Sequence, residues 1–142
     1  MRQLLRLIAI IPLPLIGLPG LSAAQDWTQI AAYSAYIGPQ DMRNSKGVAL
    51  RSLGAALQQD RANYHRFGLR DARDESDPVF ADRATRARIP AMVEAGGDTR
   101  GSFTQMVRAG QPFGVYVFVC GYGRTPSVIY IAGWGEDHSG CY

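Results

Sequence analysis

Two runs near the end of the chain, FGVYVFVCG (residues 113–121) and SVIYIAGWG (residues 127–135), limit what it can fold into more than any other feature. Both are crowded with β-branched and aromatic residues, which favour strands, and YGRTP between them supplies a glycine- and proline-containing turn. The pattern predicts an antiparallel hairpin. Along its first strand Val115, Val117 and Val119 take one face while Tyr116, Phe118 and Cys120 take the other, so both faces are apolar. A lone two-stranded hairpin is marginal in water. Helices, a further strand or a partner must therefore cover those faces.

The preceding residues read as the cover. Asp26 stands before WTQIAAYSAYIGP, where Ile30, Tyr33 and Ile37 recur at helical spacing and Gly38-Pro39 supplies a stop, which predicts a first short helix capped by Asp26. GPQDMRNSKG is a loop by composition. A second helix is expected from Ser52 to Phe67, ended by Gly68 in the left-handed conformation. At 100° per residue, Leu53, Ala56, Leu57, Tyr64 and Phe67 form one apolar arc, with Arg61 at its edge. Asp82 can cap RATRARIPAMVEAGG, whose helix Pro90 either kinks or restarts. A fourth helix, capped by Asp98 or Thr99, would gather Phe103, Met106 and Val107 and end at Gly110. The expected fold is α+β and single-domain: three to four short helices, then a C-terminal antiparallel β-hairpin.

The chain opens with a short basic start and an apolar stretch from Leu7 to Leu18, broken by Pro19-Gly20 and followed by small residues up to Ala24. That stretch is too short to cross a bilayer and suits a secretory signal. Residues 1–24 are expected to be removed, leaving a domain over residues 25–142 with no membrane span. Loss of Arg2 and Arg6 would leave thirteen basic against twelve acidic residues. Such a balance gives no electrostatic reason to bind nucleic acid. In an oxidising periplasmic or extracellular setting Cys120 and Cys141 allow one intramolecular disulfide. It would close a loop of about 22 residues and contribute about 3 kcal/mol through chain entropy.

Polar chemistry gathers in two places. DRANYHRFGLRDARDESD (residues 60–77) holds a histidine and many charges, most simply read as a helix end and a self-neutralising exposed loop. The acidic spacing and missing turn glycine do not suit a calcium loop. Asp60 is the exception: it falls inside the apolar arc, where a carboxylate must be paired or hydrogen-bonded, and it reads as a buried structural polar anchor. Its expected partners are backbone donors of the Gly38 to Gly47 loop, Arg61, or another arginine. Asp60 and His65 stand about 140° apart on the helix and cannot form a dyad from it. The tail WGEDHSGCY offers His138 and Cys141 as zinc ligand types, fewer than the four a structural site needs. Hydrolase and phosphate-loop motifs are missing, so no catalytic residue and no cofactor is assigned.

YSAYIGPQDMRNSKG (residues 33–47) and QDRANYHRFG (residues 59–68) resemble segments of small exported bacterial proteins of unassigned function. The resemblance implies that the loop and the helix carrying Asp60 form one recurring unit; it implies no activity. The features favour an exported, non-enzymatic binding protein with a protein partner in the cell envelope. The alternative is a small envelope hydrolase or metal-dependent enzyme centred on His138 or His65.

Overall fold

The computed structural model describes residues 26–142, so the expected leader lies outside the described residues. Strand β1 (Trp27–Ile37) comes first, followed by helix α1 (Leu53–Ala62), which runs on as a π-helical turn, Asn63–Phe67. Helices α2 (Arg83–Arg86) and α3 (Ile89–Gly96), the short β2 (Gly97–Asp98) and helix α4 (Phe103–Ala109) follow. Strands β3 (Phe113–Tyr122) and β4 (Thr125–Gly133) then complete the order. The four strands form one sheet in the order β1-β3-β4-β2, antiparallel except for β2 against β4. Among the described residues no helix is long and apolar enough to cross a membrane.

The hairpin lies where the sequence places it, and the fold is α+β, but the sheet is not confined to the C-terminus. The expected first helix is an eleven-residue strand. Its true period is two: Tyr33, Ala35 and Ile37 point into the core opposite Val117, Val115 and Phe113. Alanines at 31, 32 and 35 place the same residue on both faces and hide the alternation, while a bulge between Gln29 and Ala31 breaks it. Pairing with β3 decides the outcome, because the hairpin needs another strand more than this segment needs to be helical.

The inner face of the sheet carries Val115, Val117, Val119, Ile129 and Ile131, all fully buried. Against it pack Leu53, Ala56 and Leu57 of α1, Ile89, Met92 and Val93 of α3, and Phe103 and Val107 of α4. Two glycines allow the close approach. A Cβ at Gly54 would sit 2.7 Å from Pro90 Cα, and one at Gly96 would strike the Ile129 carbonyl. Ser52 caps α1 by accepting from Ala55 N, Gly68 ends the π turn at φ 67°, and Asp82 caps α2 through Thr85 N. Pro90 restarts rather than kinks the helix, since it falls in the first turn of α3. Ser102 precedes α4 as its N-cap residue and makes no side-chain cap bond; Asp98, an expected cap, instead accepts from Gly101 N.

Candidate functional site

Asp60 is buried, and its Oδ2 accepts from Arg61 Nε at 2.7 Å. Arg61 is itself fully buried, clamped between the rings of Tyr33 (4.5 Å) and Tyr64 (4.7 Å). Its Nη1 donates to the Glu75 carbonyl at 2.9 Å and to Asp77 Oδ2 at 3.2 Å. Asp77 Oδ2 also receives His65 Nε2 at 2.7 Å, and Oδ1 accepts from Val79 N and Phe80 N, turning the chain toward the buried Phe80. Thus the run 60–77 is divided: residues 66–70, 72–73 and 75–76 are exposed, as a helix end and loop should be, while Asp60, Asp77 and, through Asp77, His65 gather at the buried Arg61.

The π-helical turn explains why the helical arc misplaces Phe67. More residues per turn rotate the following side chains backward, so Tyr64 stays inside while Phe67 swings out to 46% exposure. Arg61, at the arc's edge in the sequence, becomes the centre of the cluster. Burial pushes the Asp60 pKa up to about 7, against the pull of the Arg61 charge and its hydrogen bond. Burial likewise pushes Asp41 up to about 6, although Asn63 Nδ2 and Gly38 N both donate to it. For Asp77 burial raises the pKa, but the His65 bond and the two backbone donors outweigh it, and the net shift is downward.

The acidic loop has a second task. Strand β1 is a sheet edge, and Ser34 and Tyr36 turn their backbone groups away from β3. Glu75 N donates to the Ser34 carbonyl at 2.9 Å, Ser34 N donates to Glu75 Oε2 at 2.7 Å, and Tyr36 N donates to Asp74 Oδ1 at 2.8 Å. Carboxylates thereby satisfy edge groups that would otherwise template pairing with another chain.

The outer face of the sheet is aromatic. Trp134 lies over Gly114, where a Cβ would meet its ring, and its Nε1 donates to Ser34 Oγ and the Val115 carbonyl, both at 3.0 Å. Tyr36 stacks beside it at 6.1 Å, and the Arg73 guanidinium covers its free side at 4.6 Å. Tyr116, 42% exposed, completes a groove of about 440 Å³ with Ser34, Arg73, Glu75 and Trp134. The neighbouring part of this face is covered by the C-terminal tail. Cys120 and Cys141 are joined, His138 stacks on Phe118 at 5.0 Å, and Trp27 Nε1 donates to the Cys141 carbonyl at 3.0 Å. Where the tail leaves β4, Glu136 accepts from Thr99, Arg100 and Gly133 N, and the Thr99 and Arg100 bonds pull its pKa down to about 2.

His65 and His138 therefore serve different places. The first reaches Asp77 on the inner side of the sheet, and the second lies on the outer face with Nδ1 accepting from Gly140 N at 2.9 Å. Neither Asp60 nor Asp77 meets His138. The sulfur of Cys141, being bonded to Cys120, is not a thiolate ligand beside His138. Among the described residues no group of three His, Cys, Asp or Glu side chains is placed to hold a metal ion. Sequence reasoning named Arg61 among the expected partners of Asp60, and the two are bonded, but it missed the reach of Arg61 to Tyr33, Glu75 and Asp77 and the pairing of Arg73 with Trp134. Those partners come from other segments and carry no local signal. No protein-family model, curated protein or solved structure matches the chain.

Proposed function

We propose that the chain is an exported, non-enzymatic binding protein whose contact surface is the uncovered part of the outer sheet face. The observation that carries this reading is the groove beside Tyr116. An exposed tyrosine stands next to a tryptophan held rigid between Gly114 and Arg73, and the guanidinium of Arg73 has no acidic partner among the described residues. Aromatic rings with an adjacent arginine are the side chains enriched where proteins hold one another. The joined cysteines and the lack of a membrane-length helix among the described residues are compatible with a periplasmic or extracellular setting. A photo-crosslinking residue in place of Tyr116 is expected to give a discrete adduct in the cell envelope that the same residue in place of Ala91, exposed on the solvent side of α3, does not. Identical adduct patterns at the two positions would overturn the reading.

One observation favours a second reading, a small envelope hydrolase or metal-dependent enzyme. Asp77 holds His65 through Nε2, the way an acidic residue orients a general base. A hydrolase would need a nucleophile or metal-bound water facing Nδ1, whereas the one hydrogen bond of this ring among the described residues is to Asp77. Loss of a hydrolytic activity in His65→Ala, with the melting temperature unchanged, would move this reading ahead of the first.

A further inference from the structure

The turn that ends the π helix reads Arg66-Phe67-Gly68-Leu69-Arg70, five consecutive exposed residues. Two large apolar side chains, Phe67 at 46% and Leu69 at 50% exposure, project from it with an arginine on either side. The backbone beneath them is fixed. Gly68 takes φ 67°, its N–H and that of Leu69 both return to the Asn63 carbonyl, and Asn63 is itself buried against Asp41. A fixed tip exposing phenylalanine and leucine leaves apolar surface in water with nothing in the fold to cover it.

The charges around the tip select what would cover it. The Arg66 guanidinium lies 5.0 Å from the Phe67 ring centre and that of Arg70 lies 4.1 Å from that of Tyr64. Neither has an ion pair or hydrogen bond among the described residues. Nearby acids are turned away: Asp71 faces Gly38 and Gln40, and Asp77 is held by Arg61 and His65. The tip is thus cationic around an apolar centre. A specific protein interface needs about 800 Å² from each partner, more than two side chains on a protruding turn supply. A bilayer surface accepts a small apolar tip and rewards flanking cations where its headgroups are anionic.

We propose that the Arg66 to Arg70 turn is a membrane-surface anchor, in which Phe67 and Leu69 enter the interface of an anionic bilayer and Arg66 and Arg70 lie among its phosphates. It adds to the reading of the outer face, since it concerns how the protein is held at the envelope and not what it binds there. Two side chains give reversible, not permanent, attachment. Binding should therefore rise with anionic lipid and fall with salt.

The test is flotation of the exported protein with vesicles of phosphatidylglycerol and phosphatidylcholine in equal parts, and with phosphatidylcholine alone. Recovery with the anionic vesicles is expected, reduced by 0.5 M salt and reduced about tenfold or more in a Phe67→Ser, Leu69→Ser double variant. Arg66→Gln should weaken recovery less, and only with anionic lipid. The melting temperature of each variant separates lost anchoring from lost folding. Tyr116→Ser is the control and should float as the parent does. Absence from both vesicle types, equal recovery with both, or loss of flotation in Tyr116→Ser but not in the double variant would each overturn the proposal. Failure of the crosslink at Tyr116 would leave this result untouched, so the two readings fail separately.

Discussion

The two faces of the sheet are covered by different means. On the inner face, interleaved aliphatic side chains from β1, β3 and β4 meet three helices, and the burial is continuous and tolerant only of matched shape. On the outer face the cover is eight residues of tail, held by one disulfide, one stacked histidine, a tryptophan hydrogen bond and the bonds accepted by Glu136, and it stops short of Tyr116. One polar cluster interrupts the inner side; there Arg61 is paired with Asp60 and Asp77, with its Nη2 buried and lacking a hydrogen-bond partner among the described residues. Among the same residues the outer face leaves Arg73 without an acidic partner and Tyr116 exposed. The inner side is thus organised for stability and the outer side retains unused contact capacity.

The largest expected effect tests the polar cluster. Arg61→Leu removes the cation between Tyr33 and Tyr64, strands Asp60 and takes one of several donors from Asp77, and should lower unfolding stability by about 3–5 kcal/mol. That is a large share of the roughly 5–15 kcal/mol typical of a domain. Urea unfolding would measure it. A loss below about 1 kcal/mol would mean that the cluster is wet, and the contrast between the faces would lose its inner half. Next, Ile131→Ala should cost about 2–5 kcal/mol, and Tyr130→Ala, one residue along and on the outer face, distinctly less. Equal costs would show the tail to pack as firmly as the helices.

Reducing Cys120 and Cys141, or replacing both by serine, should cost about 3 kcal/mol for a loop of this length. Hydrogen exchange should localise the change: residues 135–142 should lose protection while β3 and β4 retain theirs. Uniform loss across the sheet would mean that the tail holds the inner face together as well.

Strands β3 and β4 and the helical stop at Gly68 were legible because each is specified by neighbours in sequence, whereas Pro90 left a kink and a restart both open. Strand β1 was not legible, because its partner lies some eighty residues away and its alanines carry no face preference. The two-residue β2 was invisible for the same reason: Gly97 reads as the end of one helix and Asp98 as a cap for the next, and they become a strand only against Tyr130 and Ile131. At the site, Asp60 stood out since its position conflicted with its charge. Asp74 and Glu75 did not, because an acidic residue in a loop looks solvated until a sheet edge is placed beside it. Physical conflict within one element can be read from sequence, whereas complementarity between two elements cannot.

The pH dependence of stability offers a finer test of the inner cluster. Asp60 and Asp41 have folded pKa values raised to about 7 and about 6 from 3.8. Between 3.8 and those values the folded state holds protons that the unfolded chain releases, so both groups make stability fall as pH rises through that window. Asp77 acts in the opposite sense. Its folded pKa is lowered, so its contribution is complete above the unfolded value and is lost as pH falls below it. Stability should therefore peak near about pH 4–5 and decline on both sides. Asp60→Asn, which keeps an oxygen for Arg61, should flatten the decline toward neutral pH and leave the acid limb in place. An unchanged slope would mean that Asp60 titrates as a free carboxylate, and that Arg61 with its two aromatic neighbours does not shut out water.

The smallest expected effect bears on the outer face. Tyr116 has its ring in the groove and its hydroxyl without a partner among the described residues, while the backbone beneath it is fixed by pairing with Ser34 and Ala132. Tyr116→Ser should move stability by no more than about 0.5 kcal/mol, as for other surface positions away from caps and cores. If the loss instead approached that of Tyr130→Ala, the ring would be part of the packed cover and its exposure no sign of a contact surface. A stability-neutral Tyr116→Ser that also abolishes an envelope crosslink placed at Ala72, which lines the same groove, would separate binding from folding at one residue. That separation is what an outer face with unused contact capacity requires.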